Sequence, residues 1–69
     1  SNIAEGVNRF SLKEKLHFIE ISFASLMEVS SQFEIAEDLG YISTEERLNV
    51  DVLIEEIARL LSGLRKSFK

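Results

Sequence analysis

The sequence predicts an all-α protein built around an antiparallel helical hairpin. Two Ser-x-x-Glu pairs, Ser11/Glu14 and Ser43/Glu46, each stand at the head of a long uninterrupted segment. At that spacing the Ser hydroxyl and the Glu carboxylate satisfy backbone amides of the first turn that have no partner within the helix. Behind each pair, apolar residues recur at steps of three and four, the helical period, and strand alternation is absent. The chain has no proline and three glycines in 69 residues, so little interrupts either segment.

Taken in order, residues 1–10 read as the close of an earlier helix and a connection. Asn2 to Glu5 is helix-compatible, Gly6 is a terminator, and Val7-Asn8-Arg9-Phe10 leads into Ser11. A four-residue helix without a start signal makes sense as the last turn of one that begins upstream, so the sequence reads as a portion of a larger fold. The first long helix is expected over about 12–39, stopped by Gly40 at the left-handed position that follows a helix end. Tyr41 follows that stop, and its ring is expected to pack back near Ala36. The second helix is expected over about 44–68, with Gly63 as its one weak point. The link Gly40-Tyr41-Ile42-Ser43 is short, which makes the helices antiparallel neighbours.

The two helices differ in how much apolar surface they carry. In the second, Val50, Leu53, Ile54, Ile57, Leu60, Leu61, Leu64 and Phe68 fill an arc of about 120°, an ordinary core-facing stripe. In the first, Leu12, Leu16, Ile19, Phe23, Leu26, Met27 and Phe33 form such a stripe, and Phe18, Val29 and Ala36 widen it to about 180°. Ile21, Ile35 and Leu39 lie outside even that. One partner helix cannot cover so wide a surface, and soluble monomers do not leave it bare. A chain of this size also draws little net stability from a single core. Further helices, other copies of the chain, or both are therefore expected to cover the excess.

Composition narrows the function. A single small domain fits the length, and a Rossmann domain or a barrel does not. Without cysteine there is no disulfide framework, thiolate metal site or cysteine nucleophile, and a cytoplasmic location is the default expectation. No apolar run approaches the roughly 20 residues of a membrane span, and no membrane role is expected. Glu14 and His17 have a Glu-x-x-His spacing that in di-iron bundles supplies two ligands from one helix. His17 is the sole histidine, and Glu14 is better explained as a cap partner. No metal or other cofactor is expected. No serine has a histidine placed to activate it, and the adjacent carboxylates of Glu45-Glu46 and Glu55-Glu56 diverge on a helix. The chain reads as non-enzymatic, with no catalytic residue. Phe10, Phe18, Phe23, Phe33 and Phe68 fall at core spacing and read as core rather than as base-stacking platforms.

Charge is the remaining signal. The net charge is −4, unevenly spread. From Glu37 to Glu56 there are seven acids and one base, Arg47, whereas from Arg59 to Lys69 there are four bases and no acid. In an antiparallel hairpin Arg9, Lys13, Arg65, Lys66 and Lys69 share one end, and the acids from Glu37 to Glu46 gather at the other. Cations at a helix C-terminus favour the dipole. A cluster of them also suits phosphate, and repetition in an oligomer would raise avidity steeply. Ser22, Ala24, Ser25 and Ser62-Gly63 would permit close helix approach, which would offset the roughly 1 kcal/mol that glycine costs in a helix.

Several stretches together resemble a known family. SNIAEG at 1–6, Arg9, the Ser11-x-Lys13-Glu14 start, SLxE at 25–28, DLGYIS at 38–43 and LLSGLRKS at 60–67 look, in order, like the 23S rRNA intervening-sequence proteins, also called the four-helix-bundle protein family. Ala24 stands where the family often has a smaller residue such as glycine. The resemblance implies an up-down-up-down antiparallel four-helix bundle. SNIAEG would close the second helix, and the two long segments would be the third and fourth. It also implies a ring-shaped homo-oligomer, a pentamer, and kinship with retroelement accessory variability proteins, which are thought to bind nucleic acid. The expectation is an oligomeric, non-enzymatic module binding RNA or DNA through the phosphate backbone. The alternative is a structural or protein–protein adaptor that touches no nucleic acid.

Overall fold

A computed structural model describes residues 9–68 of the chain. The expected turn of an upstream helix, within residues 1–8, and the candidate phosphate contact Lys69 lie outside the described residues. Among the described residues there are two helices, α1 (Leu12–Asp38) and α2 (Thr44–Ser67), and no strand. Each ends one residue short of the span its periodicity predicts. Together they form a rod 44 Å long and 19 Å across, as two side-by-side helices of 27 and 24 residues must.

Both helix starts are capping boxes. Ser11 Oγ accepts from the Glu14 amide at 3.1 Å, and Glu14 Oε1 accepts from the Ser11 amide at 3.2 Å. The corresponding distances for Ser43 and Glu46 are 3.0 and 2.9 Å. Each box pairs two amides that the helix itself leaves without partners, and replacing such a cap typically costs about 1 kcal/mol. The end of α1 is equally well defined. Gly40 has φ +77°, its amide donates to the Glu37 carbonyl, and the Tyr41 amide donates to the Ala36 carbonyl, both at 2.9 Å. This pair of bonds is the Schellman arrangement, in which a left-handed residue reverses the chain while satisfying the last carbonyls. The Tyr41 ring does not complete it. Tyr41 is 80% exposed, so the expected packing against Ala36 is replaced by a backbone bond alone.

An ion network pins the same end. Arg47, the lone base among the acids, lies between Glu37 at the end of α1 and Asp51 one turn along α2. Its Nε faces the Glu37 carboxylate, and its Nη1 lies 2.5 Å from Asp51 Oδ2. A hydrogen bond from Thr44 and the charge of Arg47 hold the Glu37 carboxyl below the ordinary carboxylate range. Glu37 and Asp51 raise Arg47, led by its bond to Glu37.

Between the helices, burial is thin. Ile19 on α1 and Phe68 at the end of α2 are buried, at 1% and 8% exposure. Phe23, Leu26 and Phe33 of α1 and Val50, Ile54, Leu61 and Leu64 of α2 are half-buried along the seam. Fifteen large apolar residues among those described stay exposed, including Leu53, Ile57 and Leu60 on α2 and Phe18, Ile21 and Val29 on α1. At 100° per residue these two sets face the same side of an antiparallel pair. The seam therefore uses one stripe of each helix and leaves a second apolar face uncovered. Gly63 does not serve the seam. A Cβ built there would meet nothing within 4 Å, and the residue is exposed, so no close approach within the hairpin requires a glycine.

Candidate nucleic-acid interface

The hairpin brings the C-terminus of α2 beside the first turns of α1, and two cation–ring contacts fasten them. Lys15 Nζ sits 5.3 Å from the centroid of the Phe68 ring, and Arg65 Cζ sits 5.8 Å from that of Phe23. Each places a cation over a negative π face, worth about 0.5–1 kcal/mol where water still reaches the charge. Phe68 is buried, and its amide bonds to the Arg65 carbonyl at 3.2 Å at the end of α2.

The candidate phosphate contacts are placed as follows. Arg9, Lys13, Arg65 and Lys66 all lie at this end and all are exposed. Arg65 leans on Phe23 across the seam, and Lys66, one residue on, points about 100° further round α2. Lys13 borders a shallow cleft with Leu12, Leu16, His17 and Glu20 on the outer side of α1. Arg9 precedes the cap of α1. Among the described residues none of the four forms an ion pair. Glu14 is a cap partner, as its spacing from Ser11 suggests. Among the described residues no three His, Cys, Asp or Glu side chains converge in a way that would hold a metal ion. No helix there is long and apolar enough to cross a membrane.

Beside these cations lies a cleft of about 400 Å³, lined by Phe10, Phe18, Ile21 and Phe68, with Glu14, Lys15 and His17 at its rim. Phe10 and Phe18 are 55% and 57% exposed. Helical spacing assigns both to a core, and for Phe23, Phe33 and Phe68 the structure agrees with that assignment. Phe10 precedes the helix, so the helical period does not govern it. Phe18 lies about 80° from the centre of the seam, on the uncovered face. Arg47 is the other residue whose part the sequence does not reveal. Its spacing of four from Asp51 was visible in the sequence, but its contact with Glu37 depends on the hairpin closing.

Among known proteins, no curated protein and no solved structure gives a significant match. The sequence description of one family does, the 23S rRNA-intervening sequence proteins, over residues 1–63. The match takes in Arg9 and Lys13 and stops short of Arg65 and Lys66. It includes both capping boxes, the Schellman turn at Gly40 and the Arg47 ion network. With most of its length inside that match, the chain belongs to the 23S rRNA-intervening sequence protein family.

Proposed function

We propose that the chain is a non-enzymatic part of an oligomeric antiparallel four-helix bundle that binds nucleic acid through its basic end. The observation that carries this reading is the segregation of charge along the rod. Arg9, Lys13, Lys15, Arg65 and Lys66 share one end with Glu14 and Glu20, whereas the other end holds Glu34, Glu37, Asp38, Glu45, Glu46 and Asp51 around the single Arg47. Cations without carboxylate partners are the ones free to replace the counterions of a phosphate backbone. The uncovered apolar face supports the assembly part of the reading. Leu53, Ile57 and Leu60 at 57%, 45% and 74% exposure require a cover, and either further helices or sister subunits supply one. A ring of protomers, five in the form the family resemblance implies, would repeat the basic end and turn weak contacts into avidity.

The test is binding of a labelled oligonucleotide across a salt series, alongside the mass of the protein in solution. Binding should weaken steeply with salt, and Lys13→Glu with Lys66→Glu should lower both the affinity and the slope while leaving the oligomer intact. These two positions are cleaner than Arg65, whose reversal would also remove the contact with Phe23. Absence of binding at low salt by an intact oligomer would favour the adaptor reading, which the same exposed apolar face supports.

A further inference from the structure

Each helix carries an apolar pair that neither the seam nor the uncovered face accounts for. Ile35 and Leu39 at the end of α1 are 55% and 65% exposed, and Leu48 and Val52 on α2 are 52% and 53% exposed. Ile35 and Leu39 lie about 160° and 200° round α1 from the buried Ile19. Leu48 and Val52 lie about 120° and 160° round α2 from Ile54 in the seam. A helix laid on the face of Leu53, Ile57 and Leu60 covers an arc of about 100° on each rod and leaves both outer pairs bare. Resting on the reading of the chain as part of an oligomer, we propose that these outer stripes are the two halves of one interface between copies of the chain. The α1 stripe of one copy meets the α2 stripe of the next.

The match between the stripes is what points to a second copy. From Glu28 through Ile35 to Leu39 the steps are seven and four residues, and from Leu48 through Val52 to Arg59 they are four and seven. Antiparallel helices run these steps in opposite directions. One register therefore sets Leu39 against Leu48, Ile35 against Val52 and Glu28 against Arg59. Glu28 and Arg59 belong to the same stripes, about 180° round from Ile19 and about 140° round from Ile54. Both are exposed, and among the described residues neither has an ion pair. This register nearly repeats the one inside the hairpin, where Glu37 meets Arg47. Neighbouring copies thus stand side by side in the same direction, offset by roughly 5 Å, with their basic ends together. The two stripes are different surfaces on the outer sides of the pair, so the contact is heterologous and continues round a ring instead of stopping at a dimer. Packed helices cross at an angle, so a contact centred on Ile35 and Val52 has parted before Gly63, roughly 16 Å further along α2.

The experiment is analytical ultracentrifugation of the full chain, with helicity followed by circular dichroism. Glu28→Arg sets like charges against each other at Arg59, and Arg59→Glu does the same at Glu28. Each should weaken assembly by about tenfold or more. The double variant, with the two charges exchanged, should recover the wild-type mass. Ile35→Asp spoils the α1 stripe alone and Val52→Asp the α2 stripe alone. Each should sediment as a single protomer, and their equimolar mixture should stop at a heterodimer, because one sound stripe remains on each. If a charge variant loses helicity as it dissociates, recovery of both by the exchange reads the same pairing. An oligomer whose mass survives all four single variants, or an exchange that restores nothing, overturns this inference and leaves assembly to another surface. A wild-type protein that sediments as one protomer overturns it together with the assembly part of the proposed function.

Discussion

Gly63 offers a sharp test of how the helices are covered. It lies inside α2, has no positive φ, and a Cβ placed on it meets nothing within 4 Å. Its cost is then purely that of glycine in a helix, and Gly63→Ala should stabilise the protein by about 0.8–1 kcal/mol. For a chain of this size that is a rise in melting temperature of roughly 4–8 °C. Gly40 is the control. Its φ of +77° is one that a side chain disfavours by roughly 1–2 kcal/mol, so Gly40→Ala should lower the midpoint although it too meets no atom within 4 Å. The assay is thermal and urea unfolding followed by circular dichroism, at two protein concentrations so that assembly is separated from helix stability. A Gly63→Ala variant that is less stable, and whose loss grows with protein concentration, would refute the reasoning. It would mean that a neighbouring helix approaches the outer side of α2, as the small-residue pair Ser62-Gly63 suggests when read by itself.

Three further outcomes follow from the seam and the turn. Ile19→Ala should cost about 2–5 kcal/mol in denaturant unfolding, because Ile19 is 1% exposed and its removal leaves a cavity. Tyr41→Ser should change stability by less than about 0.5 kcal/mol, since the ring is 80% exposed and the structural bond belongs to the backbone. Acid should loosen both helix ends near the turn. Hydrogen bonds from Ser43 depress the Glu46 carboxyl, and a bond from Thr44 together with Arg47 depresses Glu37. A carboxyl that titrates lower in the folded state than in the unfolded one contributes stability that is fully present above the unfolded value. That contribution fades as pH falls through the lower folded value. Unfolding monitored by circular dichroism should thus ease from about pH 4.5 downward. In Glu46→Gln, which keeps the capping geometry without the charge, that acid limb should be shallower.

Part of this protein is legible in its sequence and part is not. Helix ends were legible because capping is local. Ser11 and Glu14, or Ser43 and Glu46, meet whenever the first turn forms, and Gly40 can take a left-handed conformation wherever it stands. The seam was partly legible. Ile19, Phe23 and Leu26 lie within the stripe that periodicity marks, yet so do Leu12 and Leu16, which remain 51% and 41% exposed. Period identifies an apolar stripe but not which part of it a partner covers. Tyr41 shows the same limit at a turn: the reversal was foreseeable, but the direction of the ring was not.

Local chemistry therefore specified two capped helices, their antiparallel order and the sorting of charge to opposite ends, since each depends on residues at most a few positions apart or on a short link. Four features waited for the helices to meet. The Arg47 bridge to Glu37 and the stacking of Lys15 on Phe68 and of Arg65 on Phe23 all join residues from different helices. So does the cleft that leaves Phe10 and Phe18 open beside Phe68. Such contacts are set by the rotation and offset of one helix against the other. Those quantities follow from packing over the whole seam rather than from any short stretch of chain.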